Sequence, residues 1–209
     1  MNQFSDDDIH KIVERVVSQT LGAQSDAAAP AVATSAPAPS SPVVPEPTSI
    51  KTADIVAIGT DHGGVDLKNT LIKELKDSGF EVIDCGTNST EPVDYPDIAR
   101  AVAELVAAGK AWRGVVIDGA GIGSCMAANK VPGIRAAMCY DYATAVNSRE
   151  HNNANVLTLG AGLLGVNLAR QILKTWLSTE YAGGRHEKRV QKIMALEKLI
   201  SRDGTENDT

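Results

Sequence analysis

Four groups of residues able to do acid–base or anion-binding chemistry follow one another along the chain. The first, Gly59-Thr60-Asp61-His62-Gly63-Gly64, sets a carboxylate beside an imidazole among small residues that let a ligand approach the backbone. Such a pair can hold sugar hydroxyls and a phosphate; the plainer alternative is that Asp61 caps the next helix and His62 is merely exposed. The second runs from Val116 to Cys125, with glycines at 119, 121 and 123. Alternating glycines let backbone N–H groups converge on an anion, and the following helix adds its positive end. Asp118 stands just ahead of this loop, either as a proton-transfer group or as a carboxylate that fixes the loop. If the site excludes water, its pKa is expected to rise from the usual ~3.9.

The third group, Asn147-Ser148-Arg149-Glu150-His151-Asn152-Asn153-Ala154-Asn155, packs polar side chains against the apolar run Val156 to Leu159. There His151 could exchange a proton with a sugar ring oxygen and Asn152 could fix a hydroxyl, or the stretch could be an ordinary surface loop. The fourth, Gly183-Gly184-Arg185-His186-Glu187-Lys188-Arg189, places Arg185 and Arg189 four apart. On one helix face their guanidinium forks could clamp a phosphate, although a solvated charge run has the same pattern. The glycine loop reads G-x-G-x-G and lacks the G-x-G-x-x-G and the acidic residue of a dinucleotide site. No histidine pair and carboxylate stand at metal-ligand spacing, so neither cofactor nor metal is expected.

The elements that must carry these groups alternate. Strands are expected at Ile55–Gly59, Glu81–Cys85, Gly114–Asp118, Ile134–Cys139 and Val156–Leu159, each bounded by turn residues. Helices are expected near Val65–Ser78, Asp97–Ala108, Tyr142–Glu150 and Val166–Ser178, and a last one at about Arg185–Ile200. This alternation predicts an α/β fold, a five-stranded parallel sheet between helical layers, Rossmann-like, in residues 50–200. In such folds ligands bind beyond the carboxyl ends of strands, where the first two groups lie.

Outside that domain the physics changes. Ile9, Ile12, Val13, Val16, Val17 and Leu21 recur at helical spacing, and Ser5 with Asp8 forms a helix-starting box, so residues 1–21 read as a short amphipathic helix. Residues 22–49, rich in Ala, Pro, Ser and Thr with six prolines, read as a flexible, disordered linker, and 201–209 as a polar tail. A helix this short is marginal alone in water, so its apolar stripe needs a partner, either its own domain or another protein.

The chain of 209 residues has a net charge of −6 and a pI near 5.2, which gives no basic footprint for nucleic acid or an anionic membrane. Cys85, Cys125 and Cys139 have no C-x-x-C spacing, and no signal sequence or membrane span is evident, so a soluble cytoplasmic protein is expected.

Taken together, Asp61-His62-Gly63, Gly119 to Gly123 followed by Ala127-Ala128-Asn129-Lys130, Glu150-His151-Asn152 and Gly183-Gly184-Arg185-His186 resemble the ribose-5-phosphate isomerase B and galactose-6-phosphate isomerase family. The resemblance implies a three-layer α/β/α sandwich, a homodimer or dimer of dimers whose two subunits share each active site, and metal-free interconversion of ribose 5-phosphate and ribulose 5-phosphate. It implies that His62, Arg185 and Arg189 bind phosphate, that Asp61 and Asn152 hold the sugar, and that His151 assists ring opening. The amides of Gly119 to Ser124, those of Gly121 and Gly123 among them, would stabilise the enediolate.

The sequence departs from the family in three ways. Many members have a cysteine where Asp118 stands, and others a glutamate where Ser124 stands, so Asp118 becomes the expected base with Cys125 in reserve. Ala120 replaces a common threonine. Gly162 replaces an arginine on the phosphate, a loss of ~1.5–3 kcal/mol of binding unless another cation compensates. Another phosphosugar, such as a hexose 6-phosphate, or an inactive sugar-phosphate binding or assembly module, remains as an alternative. Residues 1–21 with their linker resemble the encapsulation peptides of enzymes packed in bacterial microcompartments, which implies shell proteins as partners and the compartment lumen as the location.

Overall fold

The computed structural model describes residues 55–203. The helix expected over 1–21, the linker over 22–49 and most of the tail over 201–209 lie outside the described residues. Five strands, β1 (Ile55–Thr60), β2 (Glu81–Asp84), β3 (Arg113–Asp118), β4 (Ala136–Met138) and β5 (Val156–Gly160), form one parallel sheet in the order β2-β1-β3-β5-β4. Among the described residues six α-helices accompany them: α1 (Val65–Asp77), α2 (Tyr95–Ala107), α3 (Ile122–Ala128), α4 (Tyr142–Glu150), α5 (Val166–Ser178) and α6 (Glu187–Asp203).

Strand periodicity divides the core. Val56, Ile58, Val115, Ile117, Leu157 and Leu159 point to one face, where they meet Leu67, Leu71 and Leu75 of α1, Ala145 of α4, and Ile172, Leu173 and Trp176 of α5. Ala57, Val116 and Val156 point to the other, against Ala99, Val102, Ala103 and Val106 of α2 and Ala128 of α3. Both faces are therefore covered, and the central strand β3 is buried along its whole length. This is the Rossmann-like three-layer sandwich that the sequence predicts. From β1 the strand order runs outward both ways, to β2 on one side and to β3, β5 and β4 on the other. A crevice therefore opens beyond the carboxyl ends of β1 and β3, the place where this class of fold binds ligands.

Element ends differ from the sequence expectation for local reasons. Helix α2 begins at Tyr95 instead of Asp97, because Pro96 at the first turn lacks only an N–H that a helix start leaves unpaired. Strand β4 keeps only Ala136–Met138 of the expected Ile134–Cys139, since Ile134 closes a turn onto the Val131 carbonyl and the Arg135 amide bonds the Asn155 side chain. The last helix begins at Glu187; Gly184–His186 form a separate 3-10 turn.

A buried ammonium enters the core from α1. The Lys68 side chain is 0% exposed, and its Nζ donates to Asp84 Oδ1 and Oδ2 (2.7 and 2.8 Å) and to Asn88 Oδ1 (2.6 Å). Removing the carboxylate strands a buried ammonium, whereas Asp84 itself is a third exposed and can rehydrate. Asp84→Ala should therefore cost about 3 kcal/mol. The expected fall in melting temperature is ~6–12 °C, read by calorimetry against wild type.

Candidate active site

At the end of β3 the glycine loop does converge on an anion, and the anion is the protein's own. Asp118 Oδ1 accepts from the Ala120 amide (2.8 Å) and, closer still, from the Gly121 amide; Oδ2 accepts from the Ser124 amide (2.8 Å). Gly121 takes φ 80°, which a side chain would strain, and that reversal brings its N–H back toward the carboxylate. Ser124 meets the carboxylate with its amide, and its buried hydroxyl lies close enough to help hold the charge. Burial alone would push the Asp118 carboxyl up, but the hydrogen bonds from Ser124, Gly121 and Ala120 outweigh it and hold the group below the ordinary aspartate value. The rise expected from water exclusion is thus overturned, because a carboxylate with three donors is stabilised in its charged form.

Three further observations follow from this nest. The Ala120, Gly121 and Ser124 amides are spent on Asp118, so they are not free for an enediolate as the resemblance implied. The amides of Ile122 and Gly123, first in α3, have no acceptor within the helix. The loop after β5 is tied to the same place: Ala161 N donates to the Asp118 carbonyl (2.8 Å) and Gly162 N to the Gly119 carbonyl (3.0 Å).

Beside the nest, Asp61 caps the 3-10 turn His62–Gly64 by accepting from the Gly63 amide (2.9 Å), and its own amide donates to the Ile117 carbonyl (3.3 Å). His62 is exposed, and its Nδ1 accepts from the Val93 amide (3.4 Å). Tyr95, which sequence reasoning missed, lies so close over the loop that a Cβ on Gly123 would sit 2.6 Å from its ring. The signal was there: an aromatic residue ahead of a proline at a helix start, on a connector leading to the site. Cys125 points elsewhere, its Sγ toward the Ala136 carbonyl (3.4 Å) at the start of β4.

A second cluster forms around α4. The side-chain amide of Asn147 meets His151 Nδ1 (2.8 Å), and Asn152 Nδ2 donates to the Asn147 carbonyl and Oδ1 (both 3.2 Å). The His186 ring stacks on His151, with centroids 4.2 Å apart and planes within 8°. Arg185 Nε donates to His186 Nε2 (3.2 Å). Desolvation and then the neighbouring His151, Arg185 and Arg189 charges hold His186 below the ordinary histidine value. Arg185 sits in the 3-10 turn and Arg189 in the first turn of α6, so the two do not share one continuous helix face as their spacing suggested. Among the described residues no hydrogen bond or ion pair joins this cluster to the Asp61–His62–Asp118 cluster. Met138, Ala143, Thr144, Asn147, Ser148 and Asn152 line an open cleft of about 430 Å³ at the carboxyl end of β4.

The profile of the Ribose/Galactose Isomerase family matches residues 56–193. The chain is 46% identical over 142 residues to ribose-5-phosphate isomerase B of Escherichia coli (strain K12), covering 68% of this chain and 95% of that protein. To D-erythrulose-4-phosphate isomerase of Pectobacterium atrosepticum it is 44% identical over 139 residues, 66% of this chain and 91% of the relative. Among solved structures, ribose-5-phosphate isomerase B of Clostridium thermocellum superposes with a TM-score of 0.69 at 52% identity, over 70% of this chain and 99% of that one.

The nest makes a thermodynamic prediction. A carboxyl held below its unfolded value contributes stability that is fully present above the unfolded pKa of ~3.9 and is lost as pH falls through the folded value. Asp118→Asn should remove that dependence. It should also cost ~1–3 kcal/mol, because an amide offers the loop fewer acceptor sites than a carboxylate. Denaturant unfolding of both proteins between pH 3 and 7 measures this.

Proposed function

The chain belongs to the ribose/galactose isomerase family, and from that premise we propose that it interconverts ribose 5-phosphate and ribulose 5-phosphate by proton transfer through an enediolate. A sugar-phosphate aldose–ketose isomerase must move one proton between C1 and C2 while negative charge forms and decays on the carbonyl oxygen. The observation that carries the proposal is the ionised Asp118 in the crevice between β1 and β3, next to the Asp61–His62 pair. One lone pair of Oδ2 remains after its amide bond, and it would take the proton from C2 and return it to C1. The amides of Ile122 and Gly123 would face the enediolate oxygen. His62 with Arg185 and Arg189 would hold the phosphate, Asp61 and Asn152 the hydroxyls, and His151 would open the ring. Cys125, turned toward β4, is the weaker candidate base.

We further propose a homodimer, or a dimer of such dimers, in which the Asp118 cluster of one subunit meets the His151 cluster of another. Each chain holds both clusters, and among the described residues no hydrogen bond or ion pair joins them. The apolar side chains of Ile122, Met126, Tyr140, Tyr142 and Leu163 are exposed on α3 and on the segments after β4 and β5. Residues 1–21 would be an address peptide for a microcompartment shell, tethered by 22–49. Gly162, in place of a phosphate arginine, favours a second reading in which the substrate has another chain length; one relative is named for a tetrose phosphate and the family for galactose as well.

Turnover of four-, five- and six-carbon aldose phosphates should be highest with ribose 5-phosphate; a higher kcat/KM with another length moves the assignment to that sugar. Asp118→Asn should lower kcat at least ~100-fold, and full turnover in the folded variant would exclude Asp118 as base. An acid limb of kcat/KM between pH 5 and 7 would belong to a histidine or to the second ionisation of the substrate phosphate near ~6, and not to Asp118, which titrates below that window. Mixing Asp118→Asn with His151→Ala subunits should restore about a quarter of wild-type activity, the share expected when half the dimers are mixed and each has one intact site. A reporter carrying residues 1–49 should co-sediment with shells, and a uniformly dispersed reporter in shell-forming cells would reject the address.

A further inference from the structure

We propose that Lys68, in the first turn of α1, is a positioning residue for phosphate recognition: its buried ammonium, bonded to Asp84 and Asn88, sets the β2–α2 connector that orients His62 and Tyr95. This rests on the reading of His62 as a phosphate ligand.

An apolar side chain of similar length would fill the Lys68 position without the desolvation cost of an ammonium. What the ammonium adds is a set of directed bonds, and all three go to the end of β2 and the segment after it. Asp84 Oδ1 also accepts from the Gly86 amide (2.9 Å). From there the connector is zipped to the end of β1. The Cys85 amide donates to the Ile58 carbonyl (2.8 Å), Thr60 N to the Gly86 carbonyl (2.7 Å), and Thr87 N to the Thr60 carbonyl (2.7 Å), directly before Asp61. Beyond Asn88 only weak local turns follow, Ser89 N to Thr87 Oγ1 (3.4 Å) and Glu91 N to Ser89 Oγ (3.3 Å). Asn88 is thus the last firm anchor before Val93.

At the far end, Val93 decides how His62 presents itself. The Val93 N–H points at Nδ1 from 3.4 Å, which favours that nitrogen as acceptor and the proton of the neutral ring on Nε2. Nε2–H is then the donor available to a phosphate oxygen. Two residues later Tyr95 comes over Gly123, so the same connector sets the distance between the aromatic ring and the loop that holds Asp118. Lys68 therefore acts through two intermediaries and touches neither substrate nor base.

The test uses the full-length protein with Lys68→Met, Asn88→Ala, Asn88→Asp and His62→Asn. Substrate is the preferred aldose phosphate, and inorganic phosphate is the competitive probe. Lys68→Met should raise KM and the phosphate inhibition constant together by about tenfold while kcat changes less than about threefold. Asn88→Ala should do the same more weakly, and Asn88→Asp, which keeps an acceptor for the ammonium, should restore both. Imidazole nitrogen NMR should find the Nε2–H form of His62 in wild type and a tautomer mixture in Asn88→Ala. In a His62→Asn background Lys68→Met should add nothing further to KM. Unchanged KM and tautomer in Asn88→Ala, or an undiminished Lys68→Met effect without His62, overturns the inference; Asn88→Ala decides it if Lys68→Met does not fold. If His62→Asn alone leaves KM and phosphate inhibition untouched, the phosphate reading fails, and the tautomer shift still reports whether the cluster holds the ring.

Discussion

At the carboxyl end of β3, a strand buried along its whole length, a carboxylate sits inside a ring of backbone amides, and the site end of the molecule is arranged around it. Asp118 is 4% exposed, and a charge so placed is tolerable only with donors aimed at it. The donors are the loop that follows, so loop conformation and carboxylate charge stabilise each other. The loop after β5 hangs from the Asp118 and Gly119 carbonyls, and Thr158 Oγ1 bonds the Gly121 carbonyl from within β5 (2.8 Å). Tyr95 closes over Gly123 from the α2 side. Neutralising Asp118 would loosen contacts from three elements at once.

Buried cations play the matching part elsewhere. Lys68 ties the start of α1 to the end of β2 on the ligand side of the sheet. At the opposite end Arg113 opens β3, lies over the Trp112 ring (3.9 Å) and the Trp176 ring (5.0 Å), and donates to the Trp176 and Leu177 carbonyls. Burial first, and then the nearby Arg149 charge, push Arg113 down to about 9, so it remains protonated at neutral pH and caps the end of α5. Arg149 in turn bonds the Thr179 and Ala154 carbonyls and the Asn153 side chain. One end of the sheet is thereby locked by cations on carbonyls, while the other presents amides and a carboxylate to the crevice.

The departures from the family pattern act together. A cysteine at position 118 would not hold three amides as a carboxylate does, so the substitution changes the loop as well as the proposed base. Glycine at 162 meets the Gly119 carbonyl, where a Cβ would stand 3.0 Å away. The two loops therefore fit closely.

Strand and helix alternation, the parallel sheet and the positions of the four chemical groups were legible in the sequence, because hydrophobic periodicity and glycine spacing are local properties. The α5 and α4 boundaries came through unaltered, and Asp61 met its capping reading, with a 3-10 turn in place of a helix. Sequence could not choose between Asp118 as a poised base and Asp118 as the anchor of its loop, since that depends on where three amides point after Gly121 reverses the chain. Nor could spacing show that Arg185 precedes the helix bearing Arg189, that Cys125 turns toward β4, or that Tyr95 covers Gly123. Those are contacts between elements far apart in the chain, and they exist only once burial has forced the elements together.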